Sequence, residues 1–296
     1  MPLSFRGLDL FAAVAKHGSV SGAAAAMYVT QPAVSKAIAS LERHFGTALL
    51  ERGRGGSTLT EAGAVLYAQV RVILGAARVA EEEIALLRGL GRGSLRIGAS
   101  TTIATYLLPA LLGTFHRQYP GIHLRVTSAN THDVAAALVD GDVDVALVEG
   151  PVHDERIAVR EWRQDELVVV AGAHHPLAGR RAVPLEALAA ELFVVREPGS
   201  GTREVAEGAL REHGLVPRDT LEVGSTAAIM QTVAAGLGVA IVSAAAAADQ
   251  LTLGTLKVLD VPSMVIRRSF TELGVPGRRL SPAAAAFTAL LRPSVR

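Results

Sequence analysis

TQPAVSKAIASLERHFGTALLERGRGGSTLTEAG, residues 30–63, is the stretch on which the fold turns. Thr30 stands where a helix N-cap belongs, with a hydroxyl able to accept from the next turn. Pro32 fills a first-turn position whose N–H would be spare in any case. Val34, Ile38, Leu41 and Phe45 follow at spacings of 4, 3 and 4, one face of a helix running to about Phe45. Leu49 to Leu59 then reads as two short extended runs around a glycine-rich turn. Upstream, Leu8, Leu10, Phe11 and Val14 form an amphipathic helix stopped at Gly18, and Ser19 or Ser21 can cap a second, alanine-rich helix through Met27. Three short helices and a small two-stranded turn predict an N-terminal all-α winged helix-turn-helix over residues 1–60.

Thr60 can cap a long helix reaching about Leu90. In it Leu66, Val70, Ile73, Ala77, Ala80, Ile84 and Leu87 alternate spacings of 4 and 3, a heptad seam that predicts a partner helix and a dimerisation linker over 61–91. The competing reading is a core helix inside a bundle. Arg88 to Ser94, with Gly89, Gly91 and Gly93, ends it as a hinge. From Leu95 onward strands and helices alternate. LRIGAS (95–100), IHLRVTSA (122–129), VDVALVEG (143–150), ELVVVAG (166–172), LFVVRE (192–197) and VAIVS (239–243) read as buried parallel strands. Helical patterns lie between them at Ala104–Tyr119, His132–Asp140, Thr202–His213 and Thr226–Ala235. This predicts an α/β domain over 92–296 made of two subdomains, I (92–161 and 267–296) and II (162–266). They are divided at a polar connection centred on Trp162, with a cleft at the carboxyl ends of the strands.

The 296 residues are 50% hydrophobic, 19% charged and 4% aromatic, enough to build large cores without staples. The absence of cysteine excludes disulfides, thiolate metal sites and a cysteine nucleophile. No uninterrupted run of about 18 apolar residues stands out, so no membrane span is expected. The N-terminus meets polar residues before a signal-peptide core completes, which makes the cytoplasm the expected compartment. The net charge of +1 conceals an asymmetry: residues 1–60 carry Arg6, Lys16, Lys36, Arg43, Arg52 and Arg54 against Asp9, Glu42 and Glu51. That excess at one end points to a polyanion.

The 30–63 motif resembles the LysR-type transcriptional regulators, and the likeness runs the length of the chain. It implies a winged helix-turn-helix, a long linker helix and a C-terminal effector domain of the periplasmic-binding-protein type. It also implies double-stranded operator DNA as partner, a homodimer or homotetramer, RNA polymerase as a further partner, and a small-molecule co-inducer in place of any cofactor. REPGSGTRE (196–204), GASTTIATYLLP (98–109) and GSTAAIMQTVAAGLGVAIVS (224–243) resemble the branch that regulates sulfur assimilation and carbon fixation.

A helix enters the major groove with its N-terminal residues at the base edges. Thr30, Gln31, Pro32, Ser35 and Lys36 are therefore the expected readers. Gln31 can pair donor and acceptor with adenine, and Arg52 and Arg54 on the wing suit phosphate or the minor groove. In the effector domain Ser100, Thr101, Thr102, Ser128, Asn130, Glu149, Ser200, Gly201, Thr202 and Thr226 end strands or open helices, where backbone N–H groups favour an anion. A Ser or Thr in such a place is ordinarily a helix cap, and only the recurrence at many strand ends argues for a ligand. The family resemblance adds Ser100, Thr102 and Thr202 as ligand-contacting positions. Arg196 and Arg203 favour an anionic ligand, whereas Glu149 could instead meet a hydroxyl or an amine. An enzyme is disfavoured: the chain has neither HExxH nor GxSxG, adjacent His174 and His175 cannot face one metal, and Gly199 to Thr202 lacks the lysine of a phosphate-hydrolysing loop. No catalytic or metal-ligating residue is assigned. An exported solute receptor would share the C-terminal fold but has no use for the first sixty residues.

Overall fold

The structure is a computed structural model whose described residues are 3–53, 56–87 and 93–292. Arg54, the side chains of Arg52 and Leu87, and hinge residues 88–92 lie outside what is described. The chain divides into two compact units, Met1–Ile84 and Ala85–Arg296.

The first unit holds α1 (Phe5–His17), α2 (Val20–Ala26), α3 (Gln31–Phe45), β1 (Leu50–Gly53), β2 (Gly56–Leu59) and most of α4 (Glu61–Leu87). Ser4 caps α1 by accepting from Gly7 N at 3.3 Å, and Gly18, at φ +64°, ends it. Ser19 caps α2 by accepting from Gly22 N at 3.0 Å. Leu8, Phe11, Val14, Val34, Ile38, Leu41 and Leu49 interlock as one core. Phe45, expected on that face, is instead 42% exposed beyond the end of the core. Thr30 occupies the N-cap position of α3 with extended backbone, yet its hydroxyl makes no capping bond, contrary to expectation. Thr60 does cap α4, accepting from Gly63 N at 2.9 Å and donating to Ala48 O at 2.8 Å. The wing strands pair antiparallel, Leu50 opposite Leu59. Ser57 N donates to Gly18 O at 2.7 Å, and a Cβ at Gly56 would collide with that same carbonyl, so only glycine lets the wing lie this close to the α1–α2 turn.

The seam on α4 needs a correction. Val70 is fully buried, and Leu66, Tyr67 and Leu74 pack on the same N-terminal core. The early part of the 4-3 pattern is thus met within the unit itself. Among the described residues of α4, the large apolar side chains left exposed are Val65, Val72, Ile73 and Ile84, each more than 40% exposed. The stretch Glu61–Glu81 is also long and apolar enough to cross a bilayer by length and composition, which the sequence reading did not anticipate. Arg71 and Arg78 fall inside it.

The second unit runs β3 (Gly93–Ser100), α5 (Thr101–Tyr106), α6 (Leu108–Gln118), β4 (Ile122–Ala129), α7 (Thr131–Val139), β5 (Val145–Glu149), β6 (Ala158–Gly172), α8 (Leu185–Ala189), β7 (Leu192–Val195), α9 (Gly201–Glu212), β8 (Asp219–Glu222), α10 (Thr226–Ala234), β9 (Val239–Ser243), α11 (Ala244–Thr252), β10 (Leu256–Val258), β11 (Ile266–Gly274) and α12 (Pro282–Ala289). The strand order is β4-β3-β5-β11-β6-β9-β7-β8, with β10 also on β6. The strands are not all parallel. β6 is antiparallel to β9, β10 and β11, and it is the long strand that crosses between the two lobes. Trp162 lies within β6, beside the register shift at Phe270/Thr271, and not in a connection. β4 is an edge strand in which only Ile122 is buried, so it too departs from the expected buried run. The helix expected over Ala104–Tyr119 breaks at Leu107 into α5 and α6, where Pro109 can donate no N–H to the preceding turn. One lobe packs around Leu95, Ile97, Phe115, Phe270 and Phe287, the other around Leu167, Val169, Phe193, Val239 and Ile241.

The two sides of α4 should fail differently. Val70→Ala removes buried methyls and should lower stability by about 2 kcal/mol with the oligomeric state unchanged. Ile73→Asp should leave the monomer folded and dissociate the oligomer. Thermal melts and light scattering at micromolar concentration check both, and an Ile73→Asp protein that keeps the parent's mass would remove Ile73 from the interface.

Candidate DNA-reading helix and effector cleft

With Val34, Ile38 and Leu41 turned into the core, α3 presents its opposite side outward. Thr30, Gln31, Pro32 and Lys36 are exposed at its N-terminal end and Ser35 is half-buried. A Thr30 hydroxyl that caps nothing is available to another partner. Glu42, the one acid of α3, faces the wing and accepts from Leu49 N at 3.0 Å and Leu50 N at 3.4 Å. That pair of bonds fixes the helix to the wing and removes negative charge from the outward face. Arg52 sits in β1 opposite Ser57, with its side chain outside the description. Tyr28 was missed in the sequence. It is 96% exposed in the turn before α3, at φ +55°, a left-handed conformation that a bulky residue rarely adopts. An aromatic residue in a two-helix turn is the signal that could have found it.

In the second unit the expected residues fall into two groups. Ser100, Thr102, Glu149, Ser200, Gly201, Thr202 and Thr226 are all buried. Ser100 ends β3, accepts from Ile103 N at 3.3 Å, and donates to Glu149 Oε2 through a short bond. Glu149 ends β5 at 1% exposure, and its Oε1 accepts from Thr202 Oγ1 of the other lobe at 3.2 Å. Thr202 in turn accepts from Arg268 Nη1 at 2.7 Å. Arg268 Nε donates to Asp165 Oδ2 at 2.7 Å, and Ser243 Oγ donates to Asp165 Oδ1 at 2.9 Å. Thr102 and Thr226 oppose each other across the lobes with hydroxyl oxygens 3.1 Å apart, and Arg196 Nη1 donates to Thr226 at 3.1 Å. Thr131 also bridges the lobes, accepting from Gly201 N at 3.2 Å and donating to Glu149 O at 2.9 Å.

The remainder stand apart. Ser128 is exposed on β4, and Asn130 caps α7 by accepting from Asp133 N at 2.8 Å. Thr101 Oγ1 is buried without a partner among the described residues. The two arginines expected to favour an anion are each already ion-paired. Arg196 makes a two-bond ion pair with Glu197 at 2.8 and 2.6 Å, and Arg203 binds Glu207 at 2.6 Å and Glu222 at 2.9 Å. The sequence reading missed Thr131, Asp165, Ser243 and Arg268. Two adjacent arginines in a strand, Arg267 and Arg268 of IRRSFTELG, must point to opposite faces, and that was the trace that Arg268 left. Among the described residues no cluster of histidines and carboxylates is placed to hold a metal ion. The space lined by Arg196, Thr202 and Arg203 measures about 20 Å³, room for one water.

Residues 5–64 match the family described as bacterial regulatory helix-turn-helix protein, lysR family, and residues 88–296 match the LysR substrate binding domain. The RuBisCO operon transcriptional regulator of Allochromatium vinosum is 38% identical over 287 residues, covering 97% of this chain and 95% of that one. The regulatory domain of Synechocystis PCC6803 CcmR, solved in complex with 2-PG, is 31% identical with a TM-score of 0.62 and covers 68% of this chain and 96% of its own. Full-length CbnR, solved with its target DNA, shares the fold at 24% identity and a TM-score of 0.64 over 97% of this chain and 98% of its own.

The close approach of the lobes rests on Gly201, where a Cβ would overlap the Glu149 carbonyl oxygen and stand 2.8 Å from Thr131 Oγ1. Gly201→Ala should therefore cost about 1–3 kcal/mol by overpacking. Gly208→Ala, in the same helix with open space around it, should gain about 0.5–1 kcal/mol. Urea unfolding of both variants checks the contrast, and an unharmed Gly201→Ala protein would mean the lobes do not meet there.

Proposed function

The chain belongs to the LysR family of transcriptional regulators, and from that membership we propose that it reads an operator through α3 and answers to a small anionic metabolite held between its two lobes. Residues 1–60 are the DNA-binding domain, 61–91 the dimerisation linker and 92–296 the effector domain. Its subdomains are I (92–161 and 267–296) and II (162–266). Thr30, Gln31, Pro32, Ser35 and Lys36 meet the major groove, with Arg52 and Arg54 on the wing. The observation that carries the effector reading is the convergence of buried hydroxyls from both lobes, Ser100 and Thr102 from one and Thr202 and Thr226 from the other, on a single seam.

The apolar stripe of Val72, Ile73 and Ile84 seats a second copy, giving a homodimer or homotetramer and an inverted-repeat operator with half-sites about one helical turn apart. RNA polymerase is the further partner and the cytoplasm the compartment. The names of the carbon-fixation relatives support a regulated operon of that kind, and the complex of the 31% identical neighbour makes 2-phosphoglycolate the first metabolite to try. Ligand binding biases the orientation of the lobes, and the coupling to DNA is worth about 1–3 kcal/mol, as is usual for such linkage.

Gln31→Ala and Arg52→Ala separate reading from holding. Loss of Gln31 should cost about 1–3 kcal/mol on the operator and little on random DNA. Loss of Arg52 should weaken both and flatten the salt dependence. Fluorescence anisotropy across a salt series measures each, and equal losses on both DNAs for Gln31→Ala would strike it from the readers.

A further inference from the structure

The charges buried around the cleft do not balance as an empty anion site should. Glu149 and Asp165 are both carboxylates at 1–2% side-chain exposure, and the guanidinium between them is that of Arg268, also 2% exposed. Arg196 and Arg203 are already held by Glu197, Glu207 and Glu222. A metabolite anion added beside the dehydrated Glu149 carboxylate would meet repulsion that no other described cation nearby offsets. The donors around Glu149 are nonetheless those that an oxyanion requires: the Ser100 hydroxyl from one lobe, the Thr202 hydroxyl from the other, and Arg268 Nη1 at 3.8 Å from Oε1. Arg268 also keeps a second nitrogen, Nη2, buried and without a hydrogen-bond partner among the described residues. A buried guanidinium N–H left unmade is costly, and it marks a place where an acceptor belongs.

We propose that Glu149 is a built-in occupant of the anion site: its carboxylate holds Ser100, Thr202 and Arg268 in the free protein, and an anionic effector binds by displacing it. The inference rests on the cleft assigned above and adds a selectivity rule to it. A ligand must offer enough acceptor atoms to replace both carboxylate oxygens and to satisfy Arg268 Nη2, which suits a phosphate or sulfate group better than a neutral polyol. Displacement also breaks the Glu149–Thr202 bond between the lobes, so binding and lobe movement are one event.

The test is calorimetric titration of sulfate and of 2-phosphoglycolate into the full-length protein, its Glu149→Ala and Glu149→Gln variants, and Glu149→Ala/Arg268→Met. Removing the occupant should raise affinity for both anions at least tenfold in Glu149→Ala and by a smaller factor in Glu149→Gln, which keeps the volume and loses the charge. Adding Arg268→Met should abolish the gain. A merely structural Glu149 would lower the melting temperature and the affinity together. Wild-type binding with equal or weaker binding in both Glu149 variants overturns the displacement and leaves the cleft in place. If neither anion binds any of the proteins, the cleft assignment falls with it.

Discussion

Glu149 carries its carboxylate into the junction of two lobes where water does not reach, and the surrounding structure is arranged to meet that charge. Its oxygens need donors, so Ser100 must end its strand alongside and Thr202, in the first turn of α9, must point across the junction. α9 can come that close only because Gly201 has no side chain against the Glu149 carbonyl and Gly150, at φ +81°, turns the chain away beneath it. Arg268 can reach Thr202 and Asp165 together because β11 and β6 are the strands common to both lobes, and the two residues are register partners. Breaking a buried pair of this kind typically costs about 3–5 kcal/mol, more than a loop would hold against unaided. The junction is therefore fastened by a defined set of buried bonds.

The DNA-reading unit is organised on the opposite plan. Its core side chains fix α3 from behind, Glu42 fastens it to the wing, and the outward residues have little to do with the fold. Thr30 and Tyr28 show the division: one is a cap residue that caps nothing, the other a tyrosine held in a strained turn with its ring in solvent. Residues freed from structural duty at a helix N-terminus are those that can be given to base edges and phosphates.

Much of this was legible in the sequence where local pattern decides. The third helix ends at Phe45 as its 4-3-4 spacing says, and IHLRVTSA and VAIVS are strands with the expected limits. Periodicity misled where a partner came from elsewhere in the chain. Leu66 and Val70 satisfy a heptad register, yet the N-terminal core buries them, because an apolar stripe does not record which surface covers it. β8 and β10, of four and three residues, are too short to show a period, and β11 carries Arg267, Arg268 and Glu272 in a strand that an apolar-run criterion passes over. The cleft was half legible. Ser and Thr at strand ends announced themselves, but the Arg268–Asp165 pair joins residues 103 positions apart, and no spacing rule links them.

In the free protein the lobes close on the chain's own carboxylate. Amide hydrogen exchange over residues 198–205 of the full-length protein without ligand tests it most directly. Gly201 N–H donates to Thr131 across the junction, and Thr202 beside it is buried, so this segment should exchange far more slowly than an exposed loop of the same sequence. Addition of 2-phosphoglycolate should change that protection together with the protection of residues around Glu149. Exchange at the rate of an open loop in the free protein would contradict the closed junction.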